Sequence, residues 1–257
     1  MLQLLAEDSV QGWKLSDLAR AAGLSPPTCH RILSALARHQ FVAQSPDGRL
    51  YRLGLEFFRL GVKAADGPGL RQITRPSLIR IAAATGDIAL LMVRSGLNSV
   101  CVDRLESDYL IETLTGGIGG SVPLGVGTGS QAMMAFFEPA EREEIRAANM
   151  PRYARFGFFD PDKLEDELAA VRERGYSLDL DGIMRGSSGF AVPIRLEGGA
   201  AIASLGIAAL SSRLDPEKLQ RTVALLQEEA ARISPQINPL DRRLQRPALL
   251  IGTGDQP

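Results

Sequence analysis

Between Leu15 and Leu36 the chain reads LSDLARAAGLSPPTCHRILSAL, and its apolar positions recur at helical spacing in two short blocks. Ser16 suits the cap of the first block, whose Leu18, Ala19 and Ala22 share one side, and Gly23 closes it in the left-handed region. Ser25 caps the second block, with Pro26 at a first helical position, where a missing N–H costs nothing. Cys29, Ile32, Leu33 and Leu36 then fall at i, i+3, i+4 and i+7, an inward stripe. Ser25, Pro27, Thr28, His30, Arg31 and Ser34 are left facing away from it, small or polar groups with little reason to be buried. Two helices joined by a glycine turn, with the small Ala19 at their crossing, make a helix-turn-helix, whose second helix enters a DNA major groove. An ordinary helical hairpin would carry the same stripe, and a packed His30 would fit that reading. The residues beyond Leu36 separate the two. Phe41-Val42, a turn at Ser45-Pro46-Asp47-Gly48, and Leu50-Tyr51-Arg52-Leu53 read as two strands around an Asp-Gly turn, the wing of a winged helix. Arg49 and Arg52 on that wing are placed for phosphates.

Upstream, MLQLLAE reads as the end of a helix, with the natural start expected further upstream, and Trp13-Lys14 as a short strand or turn. Downstream, Leu55 to Ala65 is helical again with Leu55, Phe58 and Val62 on one side, and Asp66-Gly67-Pro68-Gly69 breaks it. A helix over Leu70–Thr85 stops at Gly86. Strands are expected at Ile88–Arg94, Ser99–Leu105 and Leu110–Leu114, then a glycine-rich loop entering a helix near Ser130. Amphipathic helices are expected over Pro139–Asn149 and Pro161–Arg174, strands over Asp179–Leu196 and Ala200–Leu210, and a last helix over Pro216–Gln236. The polar, Pro- and Gly-containing segment 239–257 reads as a disordered tail. Strands grouped in hairpins between helices make an α+β fold: an N-terminal winged helix-turn-helix over 1–54, a linker helix and hinge over 55–69, and an antiparallel-sheet domain over 70–238.

At 257 residues the chain suits two domains, each able to bury its own core. It contains no run of 18 apolar residues and no basic-then-apolar leader, so neither a membrane partner nor export is expected and the cytoplasm is. Cys29 and Cys101 are expected as separate buried thiols. Residues 1–65 hold 8 Lys/Arg against 5 Asp/Glu, while 66–257 hold 21 against 25. A mildly basic module on an acidic body agrees with DNA binding confined to the first.

The phrases GLSPPTCHRIL, PDGRLYRLG, VPLGVGTGSQAMMAFF, RERGYSLDLDG and SLGIAALSSRL, in this order, resemble the IclR family of bacterial transcription regulators. The resemblance runs from Met1 to about residue 238, and the family's first helix normally begins before this Met1. It implies a homodimer, in many members a tetramer, on a pseudo-palindromic operator in double-stranded DNA. It also implies a GAF-like C-terminal domain that binds a small carboxylic acid. Carried over by position, the effector site takes in Thr128 and Gly129, whose N–H groups open a helix and suit an anion. It further takes in Asp179, Gly189, Gly206 and Ala208. Members binding small keto acids carry a cysteine where Gly189 stands and serines where Gly206 and Ala208 stand. Three polar anchors are thus replaced by smaller groups, which points to a larger acid with an aromatic or aliphatic body. The plainer readings are a tight turn at Thr128-Gly129, a loop cap at Asp179, and small residues chosen for packing at 189, 206 and 208.

The alternative is an enzyme using the Gly-rich loop 125–131, since GTGSQA matches a dinucleotide-binding pattern. That pattern needs a parallel βαβ unit, and the elements around it here are not one. Both histidines, His30 and His39, precede residue 40, so the larger domain has no histidine base; no GxSxG motif and no Cys/His metal spacing occur. The sequence therefore implies no catalytic residue, no metal and no cofactor. A purely structural oligomerisation protein would leave the Arg31 face and the wing without a purpose.

Overall fold

A short helix, Leu2–Glu7 (α1), and a two-residue strand, Trp13–Lys14 (β1), lead into the helix-turn-helix of Leu15–Ala21 (α2) and Pro26–Arg38 (α3). Ser16 is not the cap of α2. Strand β1 holds the chain up to Lys14, so the helix starts directly at Leu15 with Lys14 as N-cap, and the Ser16 hydroxyl turns toward Asp17. Gly23, at φ 64°, closes α2: its N–H reaches the Arg20 carbonyl and that of Leu24 reaches Ala19, the Schellman pairing. Ser25 caps α3 through the Thr28 amide. Strands Val42–Gln44 (β2) and Leu50–Leu53 (β3) make the wing, and β3 lies between β1 and β2, antiparallel to both. Leu5, Leu18, Ala19, Cys29, Leu33, Val42 and Tyr51 form this unit's core. The helix Glu56–Ala64 (α4) comes next, with Leu55 and Phe58 exposed.

The computed structural model describes residues 1–7, 11–64, 69–107, 109, 111–196, 199 and 201–237, with side chains omitted at 7 and 61–64. Residues 66–68 of the hinge expected over 66–69, the whole tail expected over 239–257 and the side chain of Val62 lie outside that range. The chain divides into two units between residues 67 and 68.

The second unit begins with the helix Leu70–Thr85 (α5), closed by Gly86 at φ 69°. Its strands are Ile88–Ser95 (β4), Asn98–Leu105 (β5), Ser121–Pro123 (β6), Ser177–Met184 (β7), Ser187–Arg195 (β8) and Ala201–Leu210 (β9). They form one antiparallel sheet in the order β6-β5-β4-β9-β8-β7. Helices Thr128–Met134 (α6), Pro139–Tyr153 (α7), Leu164–Arg174 (α8) and Pro216–Ile233 (α9) complete it. Alternation along β9 explains the layering. Leu205, Ile207 and Ala209 join α5 and α9 in one core, while Met92, Cys101, Leu124, Met133 and Leu168 build a second core with α6 and α8 on the other face.

Two strand expectations change. Of the strand expected over 110–114, residue 110 lies outside the described residues and 111–114 are not a strand: the Thr113 side chain accepts from Arg104 and the segment forms a wall beside the sheet, while Ser121–Pro123 takes the edge position. The expected strand Asp179–Leu196 is not one strand but most of the β7–β8 hairpin, which turns at Arg185-Gly186, where Gly186 has φ 83°. Cys29 and Cys101 are both free and buried.

Candidate functional site

The outer side of α3 is open. Ser25, Pro27, His30 and Arg31 are exposed, and Thr28 and Ser34 half-buried. His30 and Arg31 have no hydrogen-bond or ion-pair partner among the described residues. Ser25 has two local tasks, accepting from the Thr28 amide at 3.4 Å and donating to its hydroxyl at 2.9 Å. On the wing, Gln44 Nε2 donates to the Gly48 carbonyl at 2.5 Å, and Asp47 accepts from the Arg49 amide at 3.2 Å and from the Ser45 hydroxyl. Those two bonds hold the Asp47 carboxyl below its ordinary range. The wing tip is therefore stiff, and Arg49 projects from it unpaired among the described residues. Arg52 differs: its Nη2 donates to the Gln11 carbonyl at 3.2 Å, so its guanidinium is partly committed to the loop before β1.

In the second unit, the loop Leu124–Gly127 crosses the sheet and starts α6. Gly127 sits at φ 80°, ψ 158°, a conformation that side chains disfavour. Gly125 donates its N–H to Ser130 Oγ at 2.6 Å, and Tyr153 Oη donates to the Leu124 carbonyl at 2.5 Å. The first turn of α6 lies hard on the sheet, since a Cβ on Gly129 would come within 2.8 Å of Met92 Cγ. Beside it lies a cavity of about 90 Å³. Its floor is the row of small residues Gly189, Gly206 and Ala208, with Leu90 and Met92. Gly127 to Ser130, residues 112–115, and Asp179 with Ile183, Met184 and Ser187 make its walls.

Thr128, Gly129, Asp179, Gly189, Gly206 and Ala208, drawn from separate stretches of chain, all line this one cavity. The lining is mainly apolar, and it includes two carboxylates, Asp179 and Glu112, but no Lys, Arg or His. Asp179 also caps its neighbouring turn, accepting from the Ile183 amide at 3.1 Å. Burial pushes its carboxyl above the ordinary carboxylate range, against the pull of the Ile183 and Gly182 amides; Asp181 and Glu167 push the same way as burial. The glycines differ from one another. A Cβ at 189 would meet Thr128 Oγ1 at 3.3 Å, whereas one at 206 would press on the Phe190 carbonyl at 3.2 Å and Ala191 Cβ at 3.3 Å. Packing alone thus favours glycine at 206.

Sequence reasoning missed the wall 112–115 by reading it as a strand, and missed Ile183 and Met184, which the bulge between Leu180 and Met184 turns toward the cavity. The doubled glycines at 116–117 and 119–120 were the available signal for the first; a Cβ on Gly120 would sit 1.6 Å from the Thr115 carbonyl. Loop 125–131 joins antiparallel strand β6 to α6 and belongs to no parallel βαβ unit. Among the described residues no group of His, Cys, Asp or Glu could hold a metal, and no helix is long and apolar enough to cross a membrane.

Comparison with known proteins adds to this geometry. Residues 1–46 match the IclR helix-turn-helix domain, and residues 62–235 match the C-terminal domain of bacterial transcriptional regulator IclR. The HTH-type transcriptional regulator XynR of Escherichia coli is 26% identical over 235 residues, covering 91% of this chain and 92% of that protein. The acetate operon repressor of Salmonella typhimurium is 26% identical, over 86% and 81% respectively. Among solved structures, an IclR regulator from Alicyclobacillus acidocaldarius superposes with a TM-score of 0.77 at 25% identity, over 91% and 94%. An IclR homologue from Microbacterium hydrocarbonoxydans, complexed with 4-hydroxybenzoate, gives 0.73 at 26%, over 91% and 96%.

Proposed function

The chain belongs to the IclR family of bacterial DNA-binding transcriptional regulators, and from that premise we propose that a small carboxylic acid, bound in the cavity beside α6, controls its affinity for an operator. The relatives and both matched domains are those of regulators, not enzymes. The observation that carries the effector reading is that six positions nominated from distant stretches of chain line one apolar cavity. The acid's charged end meets the N–H groups of Thr128 and Gly129 and the Thr128 hydroxyl, because no cationic side chain lines the space. Its body, aromatic or aliphatic, lies over Gly189 and Ala208. The related regulator that carries 4-hydroxybenzoate supports a single-ring acid as the first compound to try. A cavity of about 90 Å³ is smaller than the ~150 Å³ that holds a benzene ring, so such a ring would extend toward the mouth, where Glu112 is exposed.

On the DNA side, Ser25, Pro27, Thr28, His30, Arg31 and Ser34 form the major-groove face of α3, and Arg49 and Arg52 hold the backbone from the wing. Two such units in a homodimer, or two dimers in a tetramer, read a pseudo-palindrome. A thermal-shift screen of aromatic and aliphatic acids, followed by gel shifts with the DNA upstream of the gene, tests the whole reading. Stabilisation by an acid that also changes DNA affinity is the expected result. No shift from any acid would remove the effector assignment and leave the DNA assignment standing.

A further inference from the structure

Asp103 and Arg104, neighbours on β5, send their side chains to opposite faces of the sheet at a point where the β4–β5 register slips. The Arg104 side chain is 8% exposed and faces the cavity wall. Its Nη1 donates to Thr113 Oγ1 at 2.7 Å and to the Gly116 carbonyl at 3.5 Å. Nε and Nη2 hold both carboxylate oxygens of Glu106, at 2.7 and 2.8 Å. Thr113 lines the cavity, and because its oxygen accepts from Arg104, its own proton is left to donate.

Asp103 is fully buried on the other face. Its Oδ1 accepts from the Arg104 backbone N–H at 2.9 Å and from Arg75 Nη1 at 2.5 Å, and Arg71 Nε stands 3.5 Å away. Its Oδ2 has no hydrogen-bond partner among the described residues. Arg71 and Arg75 belong to the first two turns of α5, the end of that helix nearest in sequence to the DNA-binding unit. One buried carboxylate oxygen therefore joins the residue that grips the cavity wall to the start of α5.

We propose that Arg104 and Asp103 are positioning residues: they set the Thr113 wall of the cavity and tie it to the first two turns of α5, so that a ligand moving the wall is felt there. The functional meaning rests on the effector reading, but the tie exists without ligand and its test uses none. Contiguous charged and hydrogen-bonded groups are one carrier of energetic coupling between sites, and such coupling acts in both directions.

Hydrogen exchange by mass spectrometry on the full chain reads both ends at once. Arg104→Met should raise exchange about tenfold at 112–117, the cost of one charge-assisted bond, and also measurably at 70–75. Arg75→Met should do the converse, and Asp103→Asn should loosen both ends. Arg104→Lys, which keeps a cation near Glu106, should fall between Arg104→Met and the parent. If Asp103→Asn does not fold, the two arginine variants decide alone. Exchange raised at 112–117 with 70–75 unchanged would overturn the tie. So would a uniform rise that includes β8 and β9, since that reports general stability and no positioning.

Discussion

The hydroxyl of Ser204, on β9, donates to the carbonyl of Gly129 in the first turn of α6 at 2.7 Å. The family resemblance points to serines two and four residues further along this strand, at 206 and 208; the serine present instead fastens the helix that borders the cavity. Gly129 has no space for a side chain at this seat, with Met92 Cγ 2.8 Å and Ser204 Oγ 3.3 Å from an added Cβ. Ser204→Ala should cost ~1 kcal/mol, and Gly129→Ala ~1–3 kcal/mol in spite of alanine's better helix propensity, because Met92 must shift. Thermal or urea unfolding measures both. A Gly129→Ala variant as stable as the parent would show that α6 is not seated this way.

Asp179 gives a pH signature. Its carboxyl is raised in the folded chain, chiefly by burial, so the folded state prefers it protonated. Its stabilising contribution is complete below the ordinary value of about 3.9 and is lost as pH rises through the raised folded value. Above that window the ionised group is a constant cost. Asp179→Asn should therefore raise the melting temperature at pH 7, with the gain shrinking as pH falls toward 4. A melting temperature at pH 7 equal to or below the parent's would mean that the caps at Gly182 and Ile183 outweigh the burial.

DNA binding separates α3 from the wing. Arg31→Ala should weaken the best sequence by ~1–3 kcal/mol and relax selection if the guanidinium reads a base. Arg49→Ala should weaken all sequences alike and flatten the salt dependence. Arg52→Ala should do the same and also loosen the loop it holds at the Gln11 carbonyl. Gel shifts at several salt concentrations check all three, and an unchanged Arg31→Ala would remove α3 from the groove.

Self-association is expected from the linker helix. Leu55 and Phe58 are 64% and 69% exposed, large apolar surfaces at a nine-residue helix. The full chain should sediment as a dimer or larger at micromolar concentration, and Leu55→Glu with Phe58→Glu should shift it toward monomer. A parent chain that sediments as a monomer contradicts this.

How much of this was legible depended on whether a signal was local. Gly23 and Ser25 punctuate the helix-turn-helix because capping is a matter of a few adjacent residues, and the Asp47-Gly48 turn announces the wing for the same reason. The inward stripe of α3 is carried by Cys29 and Leu33, which are fully buried. Ser16 misled because β1 pairing, a long-range constraint, decides where α2 begins. The segment from Ile111 to Leu114 is a short stretch between turn signals with the β-branched Ile111 and Thr113, which reads as a strand, and the Arg104 side chain, reaching over from β5 to Thr113, is the contact that holds it outside the sheet. Likewise Gly206 is small in the sequence for a reason visible only across the strand pair, at Ala191. The cavity residues became nameable together only through the family resemblance, since no spacing in the chain links Thr128 to Ala208.

The central claim is that an acid held over Gly189 and Ala208 sets the affinity for DNA. The direct measurement is operator affinity, with and without the acid giving the largest thermal shift, for the parent and for Ala208→Leu, which fills the floor of the cavity. The parent should change its DNA affinity by a factor of about five or more on adding the acid, while Ala208→Leu keeps the ligand-free affinity and loses most of the response. An equal response to the acid in both proteins would contradict the claim.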